Sequence, residues 1–258
     1  MSSKRDRIVA IANQKGGVGK TTTSINLGAA LGALERRTLI VDCDPQGNAT
    51  RGLGQDAGEQ HLYHALAGLV PAAEIIQHTG FPFLDLMPSN DDLVGLEVEL
   101  VDQERRQYRL KEALGSVAKD YDVVLLDCPP SLGQLTVNAL CAATEVLVPI
   151  QAEYFALEGV SALISTIERV RAGLNPSLEI TGILLTMYDD RTNLSKDVAE
   201  ELRRHFQAKV FQTIIPRNVR LAEAPSHGLP VLQHDIKSSG SVAYRKLAQE
   251  FVGREQVS

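Results

Sequence analysis

The chain has no tryptophan and few aromatic residues of any kind. Only 5% of its 258 residues are aromatic, six Tyr and six Phe, whereas 44% are hydrophobic. A core built from this composition must be filled by Val, Ile, Leu and Ala, which suits the strands of a buried sheet. The length is large for one domain, but α/β folds often fill it as a single unit.

Cysteine is also scarce, with three residues in total. An odd number without a C-x-x-C pair argues against a disulfide framework and against a local zinc site. We interpret Cys43, Cys128 and Cys141 as small buried apolar residues of a protein in a reducing compartment.

Long apolar runs are missing as well. No segment approaches the ~18 residues that a membrane span requires. The polar residues 1–7 lack the apolar centre of a signal peptide. These absences predict a cytoplasmic protein with no membrane anchor.

An excess of positive charge, which many nucleic-acid-binding proteins have, is absent too, since the formal net charge is −6. Residues 185–258 nevertheless contain 11 Lys and Arg against 9 Asp and Glu. This distribution permits a basic surface in the last third of the chain without establishing one. No helix-turn-helix signature precedes the first apolar run, so recognition of a specific operator is not expected.

The strongest signal present is a glycine-rich stretch, KGGVGKTT, directly after the apolar run at residues 8–12. A strand that ends in such a turn and is followed by a helix is typical of a phosphate-binding loop. Because Gly16, Gly17 and Gly19 have no Cβ, the backbone can take positive φ angles and approach an anion closely. Backbone N–H groups and the positive end of the next helix then form a cradle for phosphate oxygens.

Side chains of this loop complete the predicted nucleotide site. We expect Lys20 to reach the β- and γ-phosphates and the Thr21 hydroxyl to bind Mg²⁺. The usual G-x-x-x-x-G-K-[ST] pattern needs glycine where this chain has Gln14, and the loop begins instead with a second lysine, Lys15. Lys15 is either a solvated loop residue or a cation that neutralises charge as the β–γ bond breaks. The predicted nucleotide-binding residues of the loop are Lys15, Gly16, Gly17, Val18, Gly19, Lys20, Thr21 and Thr22.

Acidic residues follow two further apolar runs. Asp42 and Asp44 come after residues 38–41, and Asp127 comes after residues 123–126. The carboxyl ends of parallel strands are where open α/β sheets place their active sites. We expect Asp44 to orient or activate the attacking water, Asp42 to hydrogen-bond near the metal and Lys20, and Asp127 to hold Mg²⁺ through water. Asp42 and Asp44 could alternatively cap the next element.

Strand-like and helix-like segments alternate along the whole chain, which predicts an α/β fold with a mostly parallel twisted sheet covered by helices on both faces. We expect one phosphate-loop NTPase domain over residues 8–253, between a short flexible N-terminus at 1–7 and a polar tail at 254–258. The predicted helices include 21–34, 91–119, 194–206 and 241–252, and the predicted strands include 83–88, 145–150, 178–186 and 209–215.

The phrase KGGVGKTT resembles the deviant phosphate-loop ATPases of the partitioning and division-site class. DCDPQGNAT, VPIQAEYFALEG and IIPRNVRLAEAPSHG resemble its ParA/Soj family in particular, so that the similarity runs from residue 8 to about residue 251. It implies Mg²⁺-dependent, slow ATP hydrolysis and a sandwich dimer in which Lys15 crosses to the partner's nucleotide. It also makes Asp44 the candidate hydrolytic aspartate, and Pro216 and Asn218 candidate contacts to the base. Asn218 could equally cap the helix that follows.

The same resemblance implies binding to double-stranded DNA without sequence specificity, nucleoid association, and a ParB-type centromere-binding partner that stimulates hydrolysis. Binding of this kind is salt-sensitive, with a log–log slope of about −0.9 for each neutralised phosphate. Each candidate contact taken alone is typical of an ordinary surface charge. The candidates are Arg191, Arg217, Arg220, Lys237, Arg245 and Lys246.

Two other classes share the glycine-rich loop. MinD-like division-site ATPases end in a basic amphipathic helix that lies on the bilayer, whereas here Tyr244, Leu247 and Phe251 are expected to dock on the domain. Iron–sulfur reductases hold a cluster with cysteines at a dimer face, but no glycine-rich cysteine motif surrounds Cys128 or Cys141. His227 and His234 have no partners at ligand spacing in the sequence, and no transition metal is assigned to them.

Overall fold

One seven-stranded sheet organises the part of the chain that the structure describes. The structure is a computed structural model, and it describes residues 7–101, 103–154 and 156–254 apart from the side chains of residues 97, 156 and 158. The strands are β1 Ile8–Ile11, β2 Thr38–Asp42, β3 Gln77–His78, β4 Leu84–Met87, β5 Val123–Asp127, β6 Glu145–Gln151 and β7 Glu179–Thr186. Their order is β3-β4-β2-β5-β1-β6-β7, and only the β3–β4 pair is antiparallel.

Helices cover both faces of this sheet, as the alternating pattern predicts. They are α1 Lys20–Gly32, α2 Asn48–Gly52, α3 Leu62–Leu66, α4 Leu93–Glu99, α5 Arg109–Leu114, α6 Gln134–Ala142, α7 Ala156–Gly173, α8 Asn193–Phe206, α9 Val219–Glu223, α10 Val231–His234 and α11 Ser239–Gly253. Short 3₁₀ turns lie at Ala72–Ile75, Arg106–Tyr108, Ala118–Asp120, Gln207–Lys209 and Ala224–His227.

The interior strand β1 shows how the core is divided. Val9 and Ile11 pack into one apolar cluster with side chains of α1 and α11, whereas Ala10 and Ala12 belong to the cluster on the other face. Successive side chains of a strand point to opposite faces, so a strand buried on both sides reads as a continuous apolar run. All four of these residues are almost completely buried.

Strand register brings the predicted acidic residues together. Asp127 pairs with Ile11 of β1 on one side and with Asp42 of β2 on the other. The phosphate loop leaves the same end of β1. The carboxyl ends of three adjacent strands therefore form one edge at which a nucleotide site can be built.

The last helix, α11, packs along α1. Leu247 and Phe251 are fully buried, Tyr244 is almost so, and the Tyr244 hydroxyl lies 3.1 Å from Thr23 Oγ1 of α1. The expectation that this apolar face docks on the domain is confirmed. Within the described ranges, no helix combines the length and the apolar character that crossing a bilayer would require.

The predicted strand at residues 209–215 is wrong. This segment contacts β7 through two isolated backbone hydrogen bonds. Phe211 N donates to Ile183 O at 2.9 Å, and Ile215 N donates to Leu185 O at 2.9 Å. Between them, the N–H groups of Gln212 and Thr213 donate to the carboxylate of Glu250 on α11, each at 2.8 Å. A side chain thus satisfies the donors that a continuous ladder would have used.

The predicted long helix at 91–119 is also wrong, because it is broken into α4, a 3₁₀ turn and α5. Arg105 takes a left-handed conformation with φ of 59°, which a continuous helix cannot contain. The side chain of Asn138 on α6 accepts from Leu110 N at 3.2 Å and donates to Arg106 O at 3.0 Å. These bonds serve backbone groups that the interruption exposes.

Two arginines assigned to the flexible N-terminus and to the polar tail, Arg7 and Arg254, pack against the domain. Arg7 is buried, pairs with Glu145 at 2.8 Å, and places its guanidinium 3.6 Å from the centre of the Phe251 ring. Arg254 lies 3.9 Å from the centre of the Phe211 ring and donates to Thr181 O and Val210 O. Cation–π stacking and charge-assisted bonds stabilise both positions. The rest of the two predicted ends, residues 1–6 and 255–258, lies outside the described residues.

Candidate nucleotide site

The glycine-rich loop joins the end of β1 to the start of α1. Gly17 and Gly19 have φ angles of 76° and 86°, a region that side chains with a Cβ rarely adopt. Gly16 does not lie in this region, so the expectation of positive φ holds for two of the three glycines. Gly19 is the N-cap of α1, and as a glycine it has no side chain with which to cap this helix end. The first N–H groups of α1 are therefore presented to the loop, as an anion site requires.

Two side chains that the sequence motif does not reveal hold this loop. Asn13 donates its side-chain amide to Pro149 O at 2.7 Å and accepts from Lys15 N at 3.0 Å. Thr186, the last residue of β7, donates its hydroxyl to Val18 O at 2.8 Å. Asn13 lies two residues before the motif, at the end of the apolar run, and could have been suspected. Thr186 could not, because it reaches the loop only through the fold.

Lys20 is buried beneath the loop. Its ammonium group donates to Lys15 O at 3.1 Å, and only 7% of the residue is exposed. Burial lowers the pKa of Lys20, while the nearby carboxylate of Asp127 opposes this shift. Val18 is also buried, and Thr22 is half-buried on α1. Lys20 thus lies within the cradle, where the expected phosphate contact is possible.

Lys15, in contrast to Lys20, extends towards solvent. Its side chain is half exposed and forms an ion pair with Glu153, which follows β6. The phrase around Glu153 is explained by a strand and a capped helix alone, so the sequence assigns no chemistry to this residue. The structure makes it the partner of the additional lysine.

One carboxylate oxygen of Asp127 has no hydrogen-bond partner among the residues that the structure describes. Its Oδ1 accepts from Ser24 Oγ at 2.8 Å, and the nearby hydroxyls of Ser24 and Thr21 partly oppose the rise in the pKa of Asp127. Its Oδ2 is buried without a hydrogen bond, which is costly for a carboxylate. Mg²⁺ takes oxygen ligands, keeps several waters and is usually bound by one or two carboxylates together with phosphates. The Thr21 hydroxyl and the orphaned Oδ2 fit this ion.

Asp42 lies beside Asp127, but its hydrogen bonds serve its own loop. Oδ2 accepts from the backbone N and the hydroxyl of Thr50, each at 2.8 Å, and Oδ1 accepts from Asp44 N at 3.2 Å. The predicted bond towards Lys20 is thus replaced by capping of the next element, the alternative reading. Burial raises the pKa of Asp42 and of Asp127, and repulsion between the two carboxylates adds to the shift of Asp127.

Asp44 occupies the turn after β2 and is almost buried, with 7% exposure. Its Oδ1 accepts from Gln46 N at 2.9 Å, and its backbone O accepts from Ser89 Oγ at 3.0 Å. These bonds fix the turn that carries the carboxylate. Asp44 therefore lies at the same sheet edge as the loop, in a position compatible with the predicted hydrolytic role.

The candidate base contacts lie in a cavity-lining segment after β7. Pro216 lines a cavity of about 780 Å³. Asn218 accepts from Arg220 N at 2.8 Å, which makes it the N-cap of α9, and donates to Ser239 Oγ at 2.6 Å. The capping alternative is therefore observed for Asn218.

The predicted DNA contacts are all exposed, and the structure brings three of them together. Arg191, Arg217 and Lys246 line the same cavity as Pro216. Arg191 forms a two-bond ion pair with Asp189, at 2.8 and 2.7 Å, and Arg220 pairs with Glu223 at 2.8 Å. The remaining three candidates, Arg220, Lys237 and Arg245, do not line this cavity.

A strand, a glycine-rich loop, a helix and an acidic residue at the end of the adjacent strand define a phosphate-loop nucleotide-binding protein, here with an additional lysine in its loop. A family model described as an AAA domain matches residues 6–180. The chain is 56% identical to chromosome-partitioning ATPase Soj of Thermus thermophilus over 250 residues, 97% of each protein. It is 54% identical to chromosome partitioning protein ParA of Caulobacter vibrioides, covering 99% of this chain and 97% of that protein.

Among solved structures, cobyrinic acid a,c-diamide synthase from Mycobacterium smegmatis with a bound ATP analogue and magnesium has a TM-score of 0.85. It is 40% identical, and the match covers 97% of this chain and 96% of that one. The chain belongs to the ParA/Soj family of chromosome-partitioning ATPases. The resemblance predicted from its motifs and the predicted fold class are both confirmed.

Proposed function

We propose that this protein is an ATP-dependent switch in DNA segregation. Binding of Mg²⁺ and ATP forms a sandwich dimer, the dimer binds DNA without sequence specificity, and hydrolysis releases it. The observation that carries the proposal is the arrangement of the two lysines, with Lys20 buried in the cradle and Lys15 held at its exposed side. Membership of the ParA/Soj family supports the assignment to partitioning.

In this proposal the chain's own residues position the phosphates before any chemistry occurs. The N–H groups of the loop and the ammonium of Lys20 hold the β- and γ-phosphates. Thr21 would bind Mg²⁺ through its hydroxyl. Asp127 would hold the ion through a water molecule, with the carboxylate oxygen that lacks a hydrogen bond. Asp42 lies behind these ligands. When bound, the ion neutralises charge that develops between these phosphates. Asp44 orients the attacking water.

Lys15 leaves Glu153 and reaches the nucleotide of a second copy. A fixed cation there stabilises the leaving phosphate, so hydrolysis is tied to dimer formation and remains slow. Pro216 lies against the base, with Asn218 fixing its loop. A ParB-type centromere-binding protein is the proposed partner that accelerates hydrolysis, and the dimer is associated with the nucleoid.

DNA binding is assigned first to the cations around the cavity, Arg191, Arg217 and Lys246, together with Arg220. Lys237 and Arg245 are peripheral candidates. Phosphate-backbone contacts from such side chains give affinity without sequence preference. A chain with a net charge of −6 needs a local basic surface for this purpose.

A MinD-like membrane cycle is the alternative function. The buried apolar face of α11 does not favour it, because that face is already packed against α1. ATP-dependent sedimentation of the protein with anionic liposomes would be the result that favours the alternative.

The proposal is tested by DNA binding with ATP, with ADP and without nucleotide. We expect the wild type to retain arbitrary double-stranded DNA only with ATP. Asp44→Ala should bind ATP and stay on DNA longer, because hydrolysis no longer releases it. Arg191→Ala combined with Arg220→Ala should dimerise with ATP but not bind DNA.

Arg203→Ala combined with Arg204→Ala is the matched control, since these exposed arginines lie on α8 and do not line the cavity. Equal loss in both double variants would show that general charge, not this surface, attracts DNA. Dimerisation without any DNA binding at low salt would contradict the DNA half of the proposal.

A further inference from the structure

The end of β7 is bonded to the phosphate loop. Thr186 is 2% exposed, and its hydroxyl donates to Val18 O at 2.8 Å across 168 positions of sequence. The bond fixes the carbonyl in the middle of the loop, between the two glycines with positive φ. Because the two glycines allow the loop many backbone conformations, the hydrogen bond from Thr186 restricts the conformation that the loop adopts.

The next residue bends the chain sharply. Met187 has a φ of 48°, a conformation that a non-glycine residue keeps only when its surroundings impose it. Its Cε lies 3.9 Å from where a Cβ on Gly19 would stand. Met187 therefore packs against the loop directly after Thr186 binds it.

Tyr188 then joins the segment that carries the candidate base and DNA contacts. Its N–H donates to Ile215 O at 3.1 Å, and its carbonyl accepts from Arg217 N at 2.9 Å. Asp189 follows and accepts from Nε and Nη2 of Arg191, at 2.8 and 2.7 Å. Within six residues the chain thus passes from the phosphate loop to two arginines that line the cavity.

We propose that Thr186 is a positioning residue that ties the phosphate loop to this segment, so that a bound nucleotide fixes Arg191 and Arg217 in place. Phosphates bound in the cradle order the loop, the Thr186 bond holds β7 to the ordered loop, and the two bonds of Tyr188 extend the constraint to residues 215–217. The part of this inference that concerns DNA rests on the proposed function. The positioning role of Thr186 within the nucleotide site does not depend on the proposed function.

The test compares Thr186→Val, which keeps the shape but removes the hydroxyl, with Thr186→Ser, which keeps the hydroxyl. Thr38→Val is the matched control, because Thr38 is equally buried in β2 and donates to Arg36 O at 2.9 Å, away from the site. The readout is hydrogen exchange of the Tyr188 and Arg217 amides, with and without a saturating non-hydrolysable ATP analogue and Mg²⁺.

In the wild type, in Thr186→Ser and in Thr38→Val, we expect the analogue to slow exchange of these two amides by about tenfold. In Thr186→Val this slowing should be lost although the site is saturated. If Thr186→Val does not fold, Thr186→Ala with its smaller side chain replaces it. Slowing that persists without the hydroxyl, or that is absent from the wild type, overturns the inference.

Measurements of DNA binding distinguish the positioning role of Thr186 from the proposed function. Because linkage is reciprocal, DNA should tighten binding of the analogue to the wild type and to Thr186→Ser, and less so to Thr186→Val. If exchange behaves as expected but the wild type binds no DNA, the proposed function fails and the positioning role of Thr186 stands.

Discussion

At the scale of single residues, the ion pair between Lys15 and Glu153 competes with the proposed movement of Lys15 to a second copy. Glu153→Gln removes the charge that holds the lysine. An exposed pair of this kind contributes up to about 1 kcal/mol, so dimerisation should require up to about fivefold less ATP analogue.

The measurement is the mass of the protein in solution during a titration with the analogue. Glu168→Gln serves as the control, because it neutralises an exposed glutamate in the middle of α7. A requirement for more analogue in Glu153→Gln would show that Glu153 assists the dimer instead of restraining Lys15.

A second prediction at this scale concerns Asp42 and Asp127, the two buried carboxylates at the site. Their folded-state pKa values are raised, so the folded protein binds more protons than the unfolded chain between about pH 4 and pH 7. Nucleotide-free protein should therefore lose stability as the pH rises through this range. Asp127→Asn removes one of the charges and should be more stable than the wild type by about 2 kcal/mol at pH 8.

That difference should shrink towards pH 4, where both carboxylates are neutral. Urea unfolding at several pH values, without nucleotide or metal, measures it. Asp197→Asn on the exposed side of α8 is the control and should follow the wild type. A pH-independent effect of Asp127→Asn would indicate a change in packing and not the loss of a buried charge.

The sequence predicts those site residues that stand in one contiguous motif or end an apolar strand. Lys20, Thr21 and Asp127 lie where the pattern places them, because a strand, a tight turn and a helix leave few alternatives. Ser24 and Thr186 could not be recognised, since a hydroxyl in a helix or strand carries no signal until the fold shows what it contacts.

At the scale of elements, the segment after Val210 shows why a strand prediction fails. Its apolar, β-branched residues fit a strand, yet the carboxylate of Glu250 receives the N–H groups of Gln212 and Thr213. Glu250→Ala leaves these donors and Arg254 without that partner, and it should lower the free energy of unfolding by about 2 kcal/mol.

Urea denaturation measures this loss. Gln249→Ala, at the neighbouring exposed position of α11, controls for a change in the helix itself. Glu250→Gln should lie between the two, because an amide oxygen can still accept one of the bonds. A stability equal to that of Gln249→Ala would show that the segment does not depend on the carboxylate.

At the scale of the whole molecule, an acidic protein that binds DNA must do so through a small part of its surface. Lys246→Gln removes one of the cations around the cavity and should reduce the log–log salt slope of DNA binding by about 0.9 for each protomer in contact. DNA-binding isotherms at several salt concentrations measure the slope. Lys196→Gln on α8 is the control, and an equal change there would place the contact elsewhere.

The overall architecture could be predicted because alternating strands and helices of this length have few ways to bury their apolar faces. Strand order and the position of the last helix were not predictable in the same way. The packing of Tyr244 beside Thr23 depends on residues 221 positions apart, and no local pattern encodes such a contact.

Arg7 and Arg254 both contact Thr181, through its hydroxyl at 3.5 Å and its carbonyl at 3.1 Å. The two ends of the described domain therefore meet at one spot, and β1 separates this spot from the phosphate loop. A circular permutant that joins them through a short linker should keep the fold, since ends that lie close together tolerate such a connection. A fluorophore or surface tether attached at either end would leave the nucleotide face open.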